Sequence, residues 1–174
     1  MQQQKRLIVD MDGVLADVYS QFLYFKEKDT GIRLSTQELM GKSEADIFGD
    51  QWKYLYSKAF FRDAPVIEGS QKVLEQLNKC YELFIVSSAT EFPQSLTEKQ
   101  EWLNEHFPFI TWKQMVFCGI KTVIKGDIMI DDHYKNLDYF SGQTILFTQP
   151  HNYGSPEKQH TRVNNWSDIA ALLL

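Results

Sequence analysis

The sequence predicts an α/β fold in which helices cover both faces of a central parallel β-sheet. Five short apolar runs lack the polar alternation of half-exposed strands, so we interpret them as strands buried on both faces. They span residues 7–9, 83–86, 115–117, 128–130 and 144–147. Helical patterns lie between these runs, and strands that alternate with helices are typical of parallel sheets. We therefore expect a three-layer α/β sandwich.

Two of the intervening helices can be placed from their own residues. Residues 70–79 carry apolar side chains at helical spacing, with Ser70 or Glu68 as the expected N-cap. Residues 95–106 form a second amphipathic stretch. Residues 150–156 show no such pattern, and we expect them to form an exposed loop.

Residues 17–69 interrupt the alternation of strands and helices. This segment is 53 residues long, has no convincing strand pattern and contains 10 of the chain's 24 aromatic residues. A connection between a strand and the next helix usually takes only a few residues. The length therefore predicts a small helical cap inserted after the first strand, with residues 1–16 and 70–174 forming the α/β core.

Composition and charge exclude several classes of protein. The chain has 18 Lys and Arg against 23 Asp and Glu, a net charge of −5, so no nucleic-acid polymer is expected as a partner. The apolar run before Asp10 is only three residues long, too short for a signal peptide or a membrane span. Cys80 and Cys118 have no metal-ligand spacing, which favours two buried thiols in a reducing compartment. We expect a cytoplasmic protein with no membrane partner.

Carboxylates follow two of the predicted strands. Asp10 and Asp12 come directly after the first strand, with Gly13 allowing a sharp turn, and Asp131 and Asp132 follow the fourth. In open α/β sheets the active crevice lies at the carboxyl ends of the strands. Carboxylates gathered there raise one another's pKa unless a cation compensates, and an all-oxygen site suits Mg²⁺. The alternative is that these aspartates only cap the turns and helices that follow them.

Phosphate-binding groups occupy similar positions. The second strand ends in Ser87 and Ser88, where a hydroxyl and free backbone amides can hold a phosphate oxygen. Lys121 and Lys125 precede Asp131, and either ammonium could neutralise both phosphate and carboxylates. Helix capping and solvated lysines are the ordinary alternatives for each feature alone, but the features occur together and in order.

In this order the residues resemble the four motifs of the haloacid dehalogenase superfamily. Residues 10–17, DMDGVLAD, resemble the first motif, Ser87 the second, Lys121 the third, and residues 126–132, GDIMIDD, the fourth. Within the superfamily the chain is most similar to the 5'(3')-deoxyribonucleotidases. That narrower likeness also rests on Phe60-Phe61 with Pro65, Lys121-Thr122, and residues 145–148 before His151-Asn152. The resemblance implies a Rossmann-like, three-layer core and spans nearly the whole chain.

The resemblance also implies a reaction, the hydrolysis of phosphate monoesters. Asp10 would be the nucleophile that forms an aspartyl-phosphate, and Asp12 would protonate the leaving oxygen and then deprotonate water. Asp10, the main-chain carbonyl of Asp12, and Asp131 would hold Mg²⁺.

The remaining motif residues would bind the phosphoryl group. By this resemblance, the phosphoryl oxygens would be held by Ser87, the amide of Ser88 and Lys121. Lys121 rather than Lys125 aligns with the family's lysine. Asp132 would orient Lys121 or a metal-bound water.

The substrate is expected to be a small phosphate, a deoxynucleoside monophosphate in the first instance. Family members carry an aromatic residue directly after the aspartate that corresponds to Asp17, but this chain has Val18. Trp52, Phe60 and Phe61 are the candidates for contacts with a base. The other interpretation of these aromatics, as a small core of the cap, stays open.

Three alternatives remain on the sequence alone. A sugar phosphate or phosphoglycolate could be the substrate of the same chemistry. A receiver module that accepts phosphate on aspartate uses similar residues, but in another order and without a 53-residue insertion. A silent relative that only binds phosphorylated ligands is the third. The sequence is also compatible with a homodimer.

Overall fold

The computed structural model describes residues 4–50 and 52–174, without the side chains of Glu44, Phe48 and Trp52. Its centre is a six-stranded sheet in which all neighbouring strands run parallel, in the order β3-β2-β1-β4-β5-β6. The strands are β1 (Arg6–Asp10), β2 (Glu82–Ser87), β3 (Met115–Phe117), β4 (Ile128–Asp131), β5 (Gln143–Phe147) and β6 (Thr161–Val163). The predicted α/β class and all five predicted strands are confirmed.

Eight α-helices accompany the strands within the described residues. They are α1 (Val18–Thr30), α2 (Thr36–Leu39), α3 (Glu44–Phe48), α4 (Trp52–Leu55), α5 (Ser70–Cys80), α6 (Pro93–His106), α7 (Tyr134–Leu137) and α8 (Trp166–Leu173). None of these helices is both long and apolar enough to cross a membrane.

Successive residues of the central strands enter two different cores, which makes the fold three-layered. Leu7 and Val9 of β1 pack with α5, α6 and α8 on one face of the sheet. Ile8 packs on the other face with Leu137 of α7. Because side chains alternate across a strand, unbroken apolar runs are what a sheet covered on both faces requires.

The inserted segment, residues 17–69, holds α1 to α4 and most of a small aromatic core, to which Phe92 also contributes. Tyr19, Phe22, Tyr54 and Phe60 are buried in this core. The chain leaves and re-enters the sheet side by side, since the Asp17 amide donates to the Pro65 carbonyl at 2.7 Å. The segment is therefore helical, and its first and last residues lie next to each other where it joins the rest of the chain. Its role as a separate cap domain stays a prediction.

Several local expectations were wrong. The N-cap of α5 is Gly69, with φ +80°, rather than Ser70 or Glu68. Residues 150–156 are not simply an exposed loop, because Pro150 and Asn152 are buried in a 3₁₀ turn. The predicted burial of both thiols also fails, since Cys80 is exposed and Cys118 is half-buried. Strand β6 and helix α8 were not predicted from the sequence.

Candidate active site

The carboxyl edge of the sheet brings the predicted aspartates together. Asp10 ends β1 and Asp131 ends β4, and these strands are neighbours in register, with Val9 opposite Ile130. Carboxylate oxygens of Asp10, Asp131 and Asp132 lie within 4.8 Å of one another, and all three residues are buried. Parallel pairing of two strands that both end in aspartate is thus sufficient to build an acidic cluster.

Lys121 places its ammonium inside this cluster. Its Nζ lies 2.6 Å from Asp10 Oδ1 and 2.7 Å from Asp131 Oδ2, and the side chain is buried. Burial alone would lower the pKa of Lys121, but the two carboxylates outweigh it and raise the pKa above its usual value. Lys121 is therefore a fixed positive charge. Lys125 is exposed at the opposite, amino-terminal edge of the sheet, beside Arg6 and Asp127.

The two carboxylates bound by Lys121 differ in their electrostatic surroundings. Burial raises the pKa of Asp10 well above its usual value, and repulsion from Asp131 raises it further, against the effect of Lys121. Burial acts in the same direction on Asp131, but Lys121, Asn136 and the His133 amide together lower its pKa. Asn136 Nδ2 donates to both oxygens of Asp131, at 2.9 and 3.0 Å. The negative charge of Asp131 is thus stabilised by its partners, whereas the negative charge of Asp10 is only partly compensated.

Gly13 allows Asp132 to approach the first motif. Its φ is +74°, and a Cβ at this position would lie 2.3 Å from Asp132 Oδ2. Only glycine satisfies both the left-handed backbone and this contact. The main-chain carbonyl of Asp132 accepts hydrogen bonds from Asn152 Nδ2 at 2.8 Å and is 2.9 Å from His151 Nε2. The 3₁₀ turn after β5 therefore supports the acidic turn after β4.

A second lysine, which the sequence analysis missed, binds Asp12. Lys99 of α6 is buried, and its Nζ donates to Asp12 Oδ2 and, at 2.9 Å, to Ser87 Oγ. The other oxygen of Asp12, Oδ1, is buried without a hydrogen-bond partner among the described residues. Lys99 lies on the same buried face of α6 as Trp102 and Leu103. A lysine on an apolar helical face was the signal that could have identified it.

A cavity of about 340 Å³ extends from these groups to the inserted segment. Its floor includes Asp10, Asp12, Ser88, Lys99, Lys121 and Asp132. Its apolar wall is formed by Val18, Phe22, Leu55, Phe61 and Phe92. The volume falls in the range of small-molecule sites, which are mostly apolar with a few convergent polar groups.

The aromatic candidates for substrate contact have different positions. Phe61 lines the cavity, although it is itself buried, with 4% exposure, and belongs to the aromatic core of the inserted segment. Phe60 is fully buried in the aromatic core of the inserted segment, 4.9 Å from Phe22 between ring centroids, and is not part of the cavity wall. The side chain of Trp52 lies outside the described part of the structure.

Comparison with solved structures defines the class. The chain is similar over its full length to a haloacid dehalogenase-like hydrolase from Streptococcus pneumoniae, with a TM-score of 0.64, 14% identity and 100% of each chain covered. It is also similar to a haloacid dehalogenase-type hydrolase from Bacillus subtilis solved with magnesium, with a TM-score of 0.60, 14% identity and 99% of each chain covered. At this identity the likeness concerns the fold, which is that of the haloacid dehalogenase superfamily.

Sequence comparison then defines the family. Residues 4–174 match the family model described as 5' nucleotidase, deoxy (pyrimidine), cytosolic type C protein, and the chain belongs to this family. It is 40% identical over 174 residues to the 5'(3')-deoxyribonucleotidase of Bacillus subtilis strain 168, covering 98% of this chain and 99% of that protein. A 5'(3')-deoxyribonucleotidase of Bacillus phage SPbeta matches with the same identity and coverage. The protein is a phosphomonoester hydrolase.

Proposed function

We propose that the protein hydrolyses the phosphate ester of deoxynucleoside 5'- or 3'-monophosphates, with Mg²⁺ and through an aspartyl-phosphate on Asp10. One observation carries the proposal: a single cavity joins the cluster of Asp10, Asp12 and Lys121 to an apolar wall containing Phe61 and Phe92. The charged floor suits a phosphate. The wall suits a flat ring, because aromatic side chains stack on the face of any base.

Asp10 is the proposed nucleophile. It ends β1 at the base of the cavity, and Met11 N–H holds its Oδ1 at 2.6 Å. In the first step a carboxylate oxygen of Asp10 attacks phosphorus, and the bond between phosphorus and the ester oxygen breaks. The alcohol of the nucleoside leaves with a proton from Asp12.

Asp12 then acts in the reverse direction. As a carboxylate it takes a proton from water, the water oxygen attacks phosphorus, and the bond to Asp10 breaks to release inorganic phosphate. Lys99 and Ser87 bind Asp12 Oδ2 and so hold the carboxyl group in a fixed orientation at the floor of the cavity.

Lysines and serines at the sheet edge are assigned to charge neutralisation and orientation. Lys121, Lys99 and Ser88 line the floor of the cavity. Ser87, by contrast, is fully buried and bound to Lys99 and Asp12. Fixed positive charges aimed at the transferred phosphoryl group are the principal means of stabilising this kind of transition state. Asp132 is assigned a supporting role at the Gly13 turn.

The acidic cluster fits Mg²⁺ through its donor set. The cluster contains three buried carboxylates but only one ammonium within it, and all its donors to a metal are oxygen. Mg²⁺ prefers such ligands. Asp10, Asp131 and the main-chain carbonyl of Asp12 would hold the ion, which when bound supplies positive charge to the phosphoryl oxygens.

A side-by-side screen tests the proposal. The purified protein is supplied with Mg²⁺ and with deoxynucleoside 5'- and 3'-monophosphates, deoxyribose 5-phosphate or phosphoglycolate, and phosphate release is measured. We expect the highest kcat/KM with the nucleotides, and loss of activity in EDTA that Mg²⁺ restores. Higher kcat/KM with the sugar phosphate or phosphoglycolate would contradict the assigned substrate class. Absence of turnover with every compound would indicate a binding protein rather than an enzyme.

A further inference from the structure

Helix α6 holds the backbone of residues 55–64 with a row of polar side chains. Gln94 Nε2 donates to the Leu55 carbonyl at 2.8 Å, and Trp102 Nε1 donates to the Ala64 carbonyl at 2.7 Å. Glu98 lies between them. The spacing of four residues places Gln94, Glu98 and Trp102 on one face of the helix. This face contacts the part of the inserted segment that supplies Phe61.

Glu98 makes most of these contacts. Its Oε1 accepts from the Ala59 amide at 2.8 Å, and its Oε2 accepts from the amides of Phe61 and Arg62 at 3.1 and 3.2 Å. One carboxylate therefore binds three backbone N–H groups of a single turn, residues 59–62. Hydrogen bonds between a charged group and backbone amides are stronger than neutral ones.

The 59–62 turn needs such support. Ala59 has a φ of +66°, in the left-handed region that residues with a Cβ rarely adopt. A strained backbone persists only where its surroundings fix it. The hydrogen bond from Ala59 to Glu98 is part of that support.

The fixed turn sets the position of the Phe61 ring. Lys99 Nζ lies 4.4 Å from the centre of this ring, and the same ammonium binds Asp12. Consecutive residues of α6 thus reach the two halves of the cavity: Glu98 holds the turn that presents Phe61, and Lys99 holds the catalytic carboxyl group.

We infer that Glu98 is a positioning residue that determines recognition of the nucleotide base by fixing Phe61. Its carboxylate contacts the 59–62 turn and acts on the substrate only through that turn. This inference rests on the proposed function, because it assigns Phe61 to the base of the nucleotide.

The test compares Glu98→Ala with Glu101→Ala on the same helix. Glu101 is 58% exposed, and its carboxylate lies 3.5 Å from the Arg62 side chain. The two substrates are deoxythymidine 5'-monophosphate and deoxyribose 5-phosphate, which lacks the base. For Glu98→Ala we expect KM for the nucleotide to rise about tenfold, with kcat within about threefold, because stacking against Phe61 is weakened. The kcat/KM for deoxyribose 5-phosphate should change less than about threefold. Glu101→Ala should leave kcat and KM unchanged for both substrates.

Two further variants separate positioning from a general structural role. Glu98→Gln keeps an oxygen for two of the amides but faces the third with an N–H group, so its KM for the nucleotide should lie between those of wild type and Glu98→Ala. The double variant Glu98→Ala/Phe61→Ala should have the same KM as Phe61→Ala alone, because residues that act through one contact are not additive.

The outcomes are distinguishable. The inference would be overturned if Glu98→Ala lowered kcat/KM equally for both substrates or left KM for the nucleotide unchanged. Additive effects on KM in the double variant would also overturn it. If Glu98→Ala does not fold, hydrogen exchange of Glu98→Gln decides, since the amides of Ala59, Phe61 and Arg62 should exchange faster than in wild type. Wild-type protein that uses deoxyribose 5-phosphate as well as the nucleotide would instead contradict the proposed substrate. In that case the exchange rates would still test the hold of Glu98 on the turn.

Discussion

The carboxyl edge of the sheet and the 59–62 turn build the two halves of the cavity by different means. At the sheet edge, Asp10 and Asp131 are placed by the strands they end, and β1 and β4 pair as neighbours. At the turn, Phe61 is placed by a carboxylate that lies 37 residues away along the chain. The first arrangement is a property of short local motifs. The second depends on contacts between a side chain and a distant backbone.

This difference separates the chemistry of the site from its selectivity. In the proposed function, groups at the sheet edge bind the metal and the phosphate, and every phosphate monoester carries that phosphate. The turn and its neighbours Val18 and Phe92 line the same cavity and would contact whatever carries the phosphate. We therefore expect variants at the sheet edge to lower turnover of all substrates, and variants near the turn to change the ranking of substrates.

The largest expected effect is that of Asp10→Asn. An amide cannot attack phosphorus, and loss of a covalent nucleophile lowers kcat by on the order of 10⁴-fold or more. Because burial and Asp131 raise the pKa of Asp10, a neutral amide should fit there with no loss of thermal stability. The measurement is kcat with each substrate, together with the melting temperature. Retention of more than a few per cent of wild-type kcat would show that Asp10 is not the nucleophile.

The second prediction concerns Mg²⁺ at the same edge. Asp131→Asn should weaken Mg²⁺ binding by at least about tenfold in a calorimetric titration, because it removes a charged ligand. Asp127→Asn is the matched control, since Asp127 precedes the same strand at its amino end and accepts from the Arg6 amide at 2.6 Å. Equal Mg²⁺ affinity of Asp131→Asn and wild type would exclude Asp131 as a ligand.

The site residues at the sheet edge could be predicted because short sequence motifs identify them. Asp10, Asp12, Ser87 and Asp131 each follow or end an apolar run, and strands buried on both faces are identified by such runs. Parallel pairing then places their ends at one edge of the sheet, and the acidic cluster forms because β1 and β4 are neighbours. Lys121 was identified through the resemblance to a family motif, and the structure places it between two of these carboxylates.

The helical side of the site could not be predicted in this way. Lys99 and Glu98 are adjacent in an ordinary amphipathic helix. Lys99 binds Asp12, 87 residues away, and Glu98 binds backbone amides 36–39 residues away. Both Phe60 and Phe61 are buried, and aromatic composition alone also could not show that Phe61 lines the cavity whereas Phe60 does not. Adjacent aromatics on a turn point in different directions, and only the tertiary fold decides which one faces a ligand. The substrate contact predicted for Trp52 stays a prediction.

The third prediction tests the residue that joins the two halves. Lys99→Met keeps the length of the side chain but removes the charge that binds Asp12 and Ser87. Loss of hydrogen bonds to a charged group should lower kcat/KM by roughly 10- to 100-fold with every substrate. Lys125→Met is the control, because Lys125 is exposed at the opposite edge of the sheet. If Lys99→Met and Lys125→Met have the same kcat/KM, Lys99 has no part in the reaction.

The smallest expected effect concerns the contact between α1 of the inserted segment and the 3₁₀ turn after β5. The Tyr19 hydroxyl lies 2.8 Å from His151 Nδ1, and the same histidine is 2.9 Å from the Asp132 carbonyl. Tyr19→Phe keeps the ring and removes this hydrogen bond, so the free energy of unfolding should fall by about 1 kcal/mol. Tyr24→Phe on the same helix is the control, because Tyr24 is 55% exposed. Urea denaturation measures the free energy of unfolding of both variants. A Tyr19→Phe midpoint equal to that of Tyr24→Phe would mean that this contact adds nothing, and that the inserted segment is attached to the core mainly through α6 and its hold on residues 55–64.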